Sequence, residues 1–287
     1  MFTMHEGYQK LLGLDITGMP NRIIGAANAT PMKELLDLTG KVAIVSGGAM
    51  GMGFCAANRL CEAGASVVVA DVADEYADKN LEFLKSKGYK VKYCKTDVSN
   101  VEQIKAAVDF TVEEFGGVDI LVNNASVWSH RTLSEISKES LKEIVDVNLN
   151  GTLFFTQAVV DVMEKQGRGG KIINVASVAG LSEDPGPVMF EYVASKSAVI
   201  ALTKSLVRAL QPLKINVNCV IPGGMMTPGA MLTQATEAAL EIRKTLKSPP
   251  IGDPDHVARV VFMMATQISD YMHGAEIIAD GGACCGI

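Results

Sequence analysis

Lys41-Val-Ala-Ile-Val-Ser-Gly-Gly-Ala-Met-Gly-Met-Gly53 is the stretch on which the reading of this chain turns. An unbroken apolar run from Val42 to Val45 passes through Ser46 into glycines, and helical periodicity follows to about Gly64. A short β-branched run with no polar alternation reads as a strand buried on both faces. A glycine-rich turn between such a strand and a helix lets backbone amides and the helix N-terminus approach a pyrophosphate. The spacing is Gly47-x-x-x-Gly51-x-Gly53 rather than G-x-G-x-x-G, and a cluster this short also suits an ordinary tight turn. The strand before it and the helix after it favour a dinucleotide site.

The same unit recurs outward from this point. Ser66 to Asp71 reads as a second strand, residues 75–87 as a polar helix and Tyr89 to Cys94 as a third strand. Val101, Ile104, Val108, Val112 and Phe115 then fall on one helical stripe that can cover a sheet. Val118 to Asn123 is strand four, 137–165 a long helix, Lys171 to Ala176 strand five and 191–210 another helix. Lys214 to Ile221 is strand six, a helical pair spans 229–267, and Ala275 to Ala279 is a last short strand. Alternating strands and helices predict one α/β domain, a parallel sheet with helices on both faces. Residues 1–37 lie outside the pattern and read as an arm ahead of a domain at 38–287. One short helix is expected there, with Pro31 in its first position behind Thr30.

Composition narrows the function. The 287 residues are 48% hydrophobic and carry a net charge of -6, so a basic face for nucleic acid or anionic lipid is not expected. No apolar run approaches the ~18 residues of a membrane span. Asp15 interrupts the apolar stretch from Leu11 to Ile16, so no secretion signal is read and the cytoplasm is the expected location. Six cysteines without a C-x-x-C pair and four scattered histidines signal neither a metal site nor a redox dithiol.

Three groups carry chemistry. Asp71 ends the second strand, where a carboxylate can accept hydrogen bonds from the adenosine ribose of NAD and would repel the 2′-phosphate of NADP. Tyr192 and Lys196 stand four apart on a helix and share a face. A fixed ammonium beside a phenol favours phenolate and is expected to lower the Tyr192 pKa toward neutrality. Ser177, at the end of strand five, can hydrogen-bond the same reacting oxygen. A serine hydrolase using Ser177 with His256 or His273 is the competing class, but alanine and valine flank Ser177 where G-x-S-x-G would place glycines two residues away.

Taken in order, Ser46-Gly-x-x-x-Gly-x-Gly53, Asn123-Asn-Ala-Ser126, Asn148, Ser177, Tyr192-x-x-x-Lys196 and Pro222-Gly223 resemble the short-chain dehydrogenase/reductase family over residues 38 to 283. The resemblance implies a seven-stranded Rossmann-type, doubly wound sheet and a nicotinamide cofactor. It implies Tyr192 as proton acceptor or donor, Ser177 orienting the substrate oxygen, Lys196 on the nicotinamide ribose and Asn148 anchoring a water of the proton relay. It places Ser46, Gly47, Gly51 and Met52 at the pyrophosphate turn, Asp97 and Val98 at adenine, and Asn124 beside the ribose. Pro222, Gly223 and Thr227 would meet the cofactor after strand six. A homotetramer through the helices at 137–165 and 191–210 is implied as well.

Three positions depart from the family pattern: Ser46 for Thr, Ala176 for a frequent Ser, and Ser126 for the last Gly of Asn-Asn-Ala-Gly. A side chain at 126 is expected to crowd the cofactor or to force the backbone away from positive φ. The segments 123–131, 181–190 and 223–250 are expected to wall the substrate. Their Trp128, Val188, Met189, Phe190, Met225, Met226, Met231 and Leu232 suit a hydrophobic alcohol or ketone, of hydroxysteroid or alicyclic type, or else pack a mobile lid. A 3-oxoacyl-thioester reductase and a non-catalytic NAD-binding protein are the alternatives.

Overall fold

The computed structural model describes residues 29–181, 188–231, 234–245 and 251–285. Contacts divide the chain into two units, 1–35 and 36–287. In the first, the described residues form one short helix, Met32–Leu35, whose Glu34 and Leu35 amides donate to the Pro31 carbonyl. Pro31 therefore sits just ahead of that helix rather than inside it. Residues 1–28 of the expected arm lie outside the described residues.

In the second unit seven strands form one parallel sheet: β1 Val42–Ser46, β2 Ser66–Asp71, β3 Val91–Lys95, β4 Ile120–Asn123, β5 Gly170–Val175, β6 Ile215–Pro222 and β7 Glu276–Ala279. Their spatial order is β7-β6-β5-β4-β1-β2-β3. The chain builds outward from β1 to β3, then crosses back to lay β4 on the other side of β1, with Ser46 opposite Asn123. Such a reversal opens a crevice at the carboxyl ends of β1 and β4, where open α/β sheets bind ligands.

All five residues of β1 are buried, and alternate side chains feed two cores. Ala43 and Val45 join Val67 and Val69 under the helices α1 Gly51–Glu62, α2 Asp74–Ser86 and α8 Pro254–Ala265. Ile44 and Val68 face α3 Val101–Phe115, α5 Gly151–Gln166 and the end of α6 Phe190–Leu210. Both faces are thus covered, as the β-branched runs require.

One helical expectation is corrected and a second is refined. The single helix at 137–165 is in fact α4 Lys138–Val145, a π turn Asp146–Asn150 and α5. A π insertion widens the helix locally without ending its apolar stripe, so periodicity does not reveal it. The helical pair expected at 229–267 is present as α7 Glu237–Thr245 and α8, preceded by one helical turn at Pro228–Met231. Asp253 caps α8 by accepting from the Asp255 amide at 2.8 Å, with Pro254 in the first position. Strand three also begins two residues later than expected, after Gly88 closes α2 at φ 79°. No described helix is long and apolar enough to cross a membrane.

Candidate active site

The site gathers at the carboxyl ends of the strands. Ser46 ends β1, and its hydroxyl accepts from the Asn124 and Ala125 amides at 3.0 and 3.2 Å while donating to the Val122 carbonyl. The Asn124 side-chain amide returns the contact, donating to the Ser46 and Gly47 carbonyls. The glycine turn is thereby clamped to the segment after β4, and only glycine fits there. At Gly47, φ is 61° and a Cβ would stand 2.7 Å from Ala125 Cα; at Gly53 it would stand 2.1 Å from the Gly47 carbonyl oxygen. At Gly51, φ is 55° and a Cβ would press on Thr227 Cβ at 3.1 Å.

These residues fit a dinucleotide. Gly51, Met52 and Gly53 open α1, whose N-cap residue Met50 makes no side-chain cap, so its first amides remain available as donors to an anion. Asp71 lies across the turn at the end of β2 and is buried. Its two oxygens accept from the Ala49 and Ala73 amides at 2.9 and 3.0 Å, leaving lone pairs for ribose hydroxyls. No ion pair among the described residues involves Asp71; Lys95, which ends the neighbouring strand, is paired with Asp74.

The remaining expected contacts divide. Asp97 accepts from the Ser99 amide and hydroxyl, and Val98 is buried against Gly151. Pro222 ends β6, and Gly223 packs so tightly on Asp280 that a Cβ would lie 2.8 Å from its Cα. Thr227 accepts from the Ala230 amide and caps the turn Pro228–Met231.

Tyr192, Ser177 and Lys196 do come together. The hydroxyls of Ser177 and Ser126 stand near enough to the Tyr192 phenol to hold its pKa down. Ser177 also accepts from the Ala179 amide at 3.2 Å. Lys196 is buried; its Nζ donates to the Val175 carbonyl at 2.9 Å and lies 5.7 Å from the Tyr192 ring centroid. Burial pushes the Lys196 ammonium down to about 8. Burial likewise raises the Tyr192 phenol above its ordinary value, with Ser177 and Ser126 pulling the other way. Lys196, expected to bring Tyr192 toward neutrality, is not among the groups that move the phenol. The ammonium is turned to a backbone carbonyl, and desolvation is the larger effect on the phenol.

Asn148, in the π turn, is fully buried and its side-chain amide is saturated. Nδ2 donates to the Val127 carbonyl and to Ser195 Oγ, and Oδ1 accepts from the Val127 amide and Ser126 Oγ. A relay water at Asn148 would have to use its main-chain carbonyl, which already accepts from Thr152 Oγ1. Nor is His273 available to Ser177. Its Nδ1 accepts from the Val217 amide and its Nε2 bonds the Val207 carbonyl, which removes this partner from the hydrolase reading.

The expected apolar wall is only partly formed. Trp128 leans on Tyr192, ring centroids 5.9 Å apart at 51°. The turn after Thr227 reaches the same ring, since a Cβ on Gly229 would meet Trp128 Cη2 at 3.6 Å. Val188 is buried, Met189 and Met225 are half-buried, and Met226 and Phe190 are exposed at 62% and 37%. Residues 182–187, Leu232 and 246–250 lie outside the described residues, as does the side chain of Met231.

One group escaped sequence reasoning. Glu191, beside Tyr192, is buried, accepts from Ser140 Oγ at 3.0 Å and pairs with Arg131 at 3.6 Å. It ties α4 and the 123–131 loop to the start of α6. A lone charge next to a tyrosine carries no sequence signal of burial.

The short chain dehydrogenase family model matches residues 41–238. A galactitol 2-dehydrogenase of Agrobacterium fabrum is 36% identical over 255 residues, 85% of this chain and 98% of that protein. A 3-oxoacyl-(acyl-carrier-protein) reductase of Thermotoga maritima is also 36% identical, over 85% of this chain and 98% of its own. A 7alpha-hydroxysteroid dehydrogenase of Bacteroides fragilis is 31% identical, over 84% and 93%. The chain belongs to the short-chain dehydrogenase family. It is accordingly an oxidoreductase of CH–OH groups that uses a nicotinamide cofactor.

Proposed function

We propose that residues 38–287 form an NAD-dependent dehydrogenase that interconverts a hydrophobic secondary alcohol, of alicyclic or hydroxysteroid type, with its ketone. The observation that carries this reading is Tyr192 on the face of α6 that bears the buried Lys196, its ring 5.7 Å from Nζ and packed on Trp128, with Ser177 and Ser126 acting on the phenol. The glycine turn and Asp71 would hold the dinucleotide, and Lys196 its nicotinamide ribose. The nicotinamide supplies the hydride acceptor or donor. Ser177 would orient the substrate oxygen. Tyr192 would take the hydroxyl proton in oxidation and return it in reduction.

NAD is preferred because Asp71 would stand against a 2′-phosphate. At an effective dielectric of ~20 and ~4 Å, that repulsion is about 4 kcal/mol before screening. For the substrate, an aromatic wall beside the phenol favours an apolar ring over a carboxylate or phosphate. The Thermotoga relative supports the second reading, a 3-oxoacyl-thioester reductase. Asp71 and the net charge of -6 weigh against it, since an acidic carrier protein calls for a basic surface. A non-catalytic NAD-binding protein has no need of the Tyr192–Ser177 contact. A homotetramer through the helices of 137–165 and 191–210 rests on the family resemblance, and a cytoplasmic location on the sequence reading alone.

The test is a panel of secondary alcohols and ketones run with both cofactors. At least one alicyclic or steroid alcohol is expected to reduce NAD, with kcat/KM at least about tenfold above that with NADP, or roughly 1.4 kcal/mol. Equal values with the two cofactors would sink the role of Asp71. Turnover confined to 3-oxoacyl thioesters would favour the second reading.

A further inference from the structure

Asn174 is next to last in β5 and fully buried, and its side chain belongs to a polar line that crosses the sheet beneath two helices. Asn123 Nδ2, at the end of β4, donates to Thr156 Oγ1 of α5 at 3.0 Å and to Asn174 Oδ1 at 2.9 Å. Asn174 Nδ2 donates in turn to Thr203 Oγ1 of α6 at 2.9 Å. The direction of that last bond is forced. Thr203 gives its one hydrogen to the Val199 carbonyl at 2.9 Å, so toward Asn174 its oxygen can act only as acceptor.

Buried amides add little net stability, because bonds to water are lost as bonds within the protein form. What such a line supplies is register: apolar packing alone specifies position more loosely than a directed bond does. That register matters at the other end of α6. Thr203 stands seven residues after Lys196, two helical turns along the same face. Lys196 Nζ donates at 2.9 Å to the carbonyl of Val175, the residue after Asn174, and Ser177 follows two residues later. Adjacent residues at the end of β5 thus hold α6 at two points, just ahead of the serine proposed to orient the substrate oxygen. We propose that Asn174 is a positioning residue: through Thr203 it sets where α6 lies on β5, and so where Lys196 and Tyr192 stand relative to Ser177. The inference rests on the proposed acid/base role of Tyr192.

Another tie on α6 does not replace this one. Ser197 Oγ donates to the Gly180 carbonyl at 2.8 Å, which joins the helix to the turn after Ser177 rather than to the sheet.

The test compares Thr203→Val, which removes the acceptor and keeps the shape, with Thr203→Ser, which keeps the hydroxyl. Thr203→Ala removes the same acceptor and serves if the valine variant does not fold. Thr111→Val on α3 is the control: Thr111 is as buried as Thr203, and its hydroxyl likewise donates to the carbonyl four residues back. Thr203→Val is expected to lower kcat for alcohol oxidation about tenfold, with KM and NAD affinity within about twofold of the parent. Thr203→Ser and Thr111→Val should keep kcat within about twofold. A second readout needs no substrate: the titration midpoint of Lys196, followed by NMR of lysine labelled at its ε-carbon, with Lys196→Met subtracted. It should rise by about half a pH unit in Thr203→Val, as looser seating lets water reach the ammonium, and stay in Thr203→Ser. An unmoved midpoint in Thr203→Val, or a kcat within about twofold of the parent, overturns the inference. So does an equal loss of kcat in Thr203→Ser or Thr111→Val. Should the parent oxidise no alcohol, the reading of function falls and the midpoint decides alone: a shift upholds the positioning, and none overturns it.

Discussion

Tyr192→Phe should lower kcat/KM for alcohol oxidation by at least about 10³-fold, some 4 kcal/mol of barrier, while NADH binds almost as before. The change removes one oxygen from a ring that packs on Trp128, so the shape of the site survives. What is lost is the group proposed to exchange a proton with the substrate oxygen that Ser177 would hold. Ser177 keeps its bond from the Ala179 amide and remains in position. Retained turnover would remove Tyr192 from the role assigned to it.

Lys196→Met should stabilise the protein at neutral pH and abolish most of its turnover. The ammonium is buried, its partner among the described residues is one carbonyl, and burial holds it at about 8 against an ordinary 10.5. That difference corresponds to about 3 kcal/mol of native-state cost while the group is charged in both states. Leaving the Val175 carbonyl without its donor offsets about 1 kcal/mol, so a net gain of about 2 kcal/mol is expected.

The sign follows from the depressed pKa. Below about 8 the lysine is charged folded and unfolded, and the cost is fully present. As pH rises from about 8 toward 10.5 the folded protein sheds the proton first, and the parent recovers the difference. Thermal melts of the two proteins should therefore lie roughly 5 °C apart at pH 7, methionine higher, and converge through that window. A variant less stable at pH 7 would show that Lys196 is better compensated than its surroundings indicate. A gain in stability bought by losing the reacting centre is the usual sign of a group kept for chemistry.

Much of this architecture is legible from residue types. Val42 to Val45 and Val67 to Val69 are apolar without alternation because helices cover both faces, and that alone separates a parallel sheet from an antiparallel one. The glycine turn is equally legible, since Gly47 and Gly53 leave no space for a Cβ. What escaped depends on contacts far apart in sequence. The π turn at Asp146–Asn150 keeps the apolar stripe of the helices it joins. Its meaning emerges only once Asn148 is seen to bind Val127, Ser126 and Ser195.

The charge balance of the site escaped for a related reason. Spacing places Lys196 beside Tyr192, but burial decides what each does to the other, and burial is a property of the assembled fold. Ser126 is visible as a departure, but its bond to Asn148 depends on the π turn arriving from another element. Glu191 had no signal at all, because its burial depends on Ser140 and Arg131 arriving from separate elements.

The most direct measurement of the central claim follows the hydrogen itself. The alcohol that the panel identifies, carrying deuterium on its carbinol carbon, is oxidised with NAD and the products are examined by NMR and mass spectrometry. Hydride transfer beside Tyr192 predicts the deuterium on the nicotinamide ring of the reduced cofactor and none in water. Deuterium released to solvent, or a cofactor recovered without label, would contradict it.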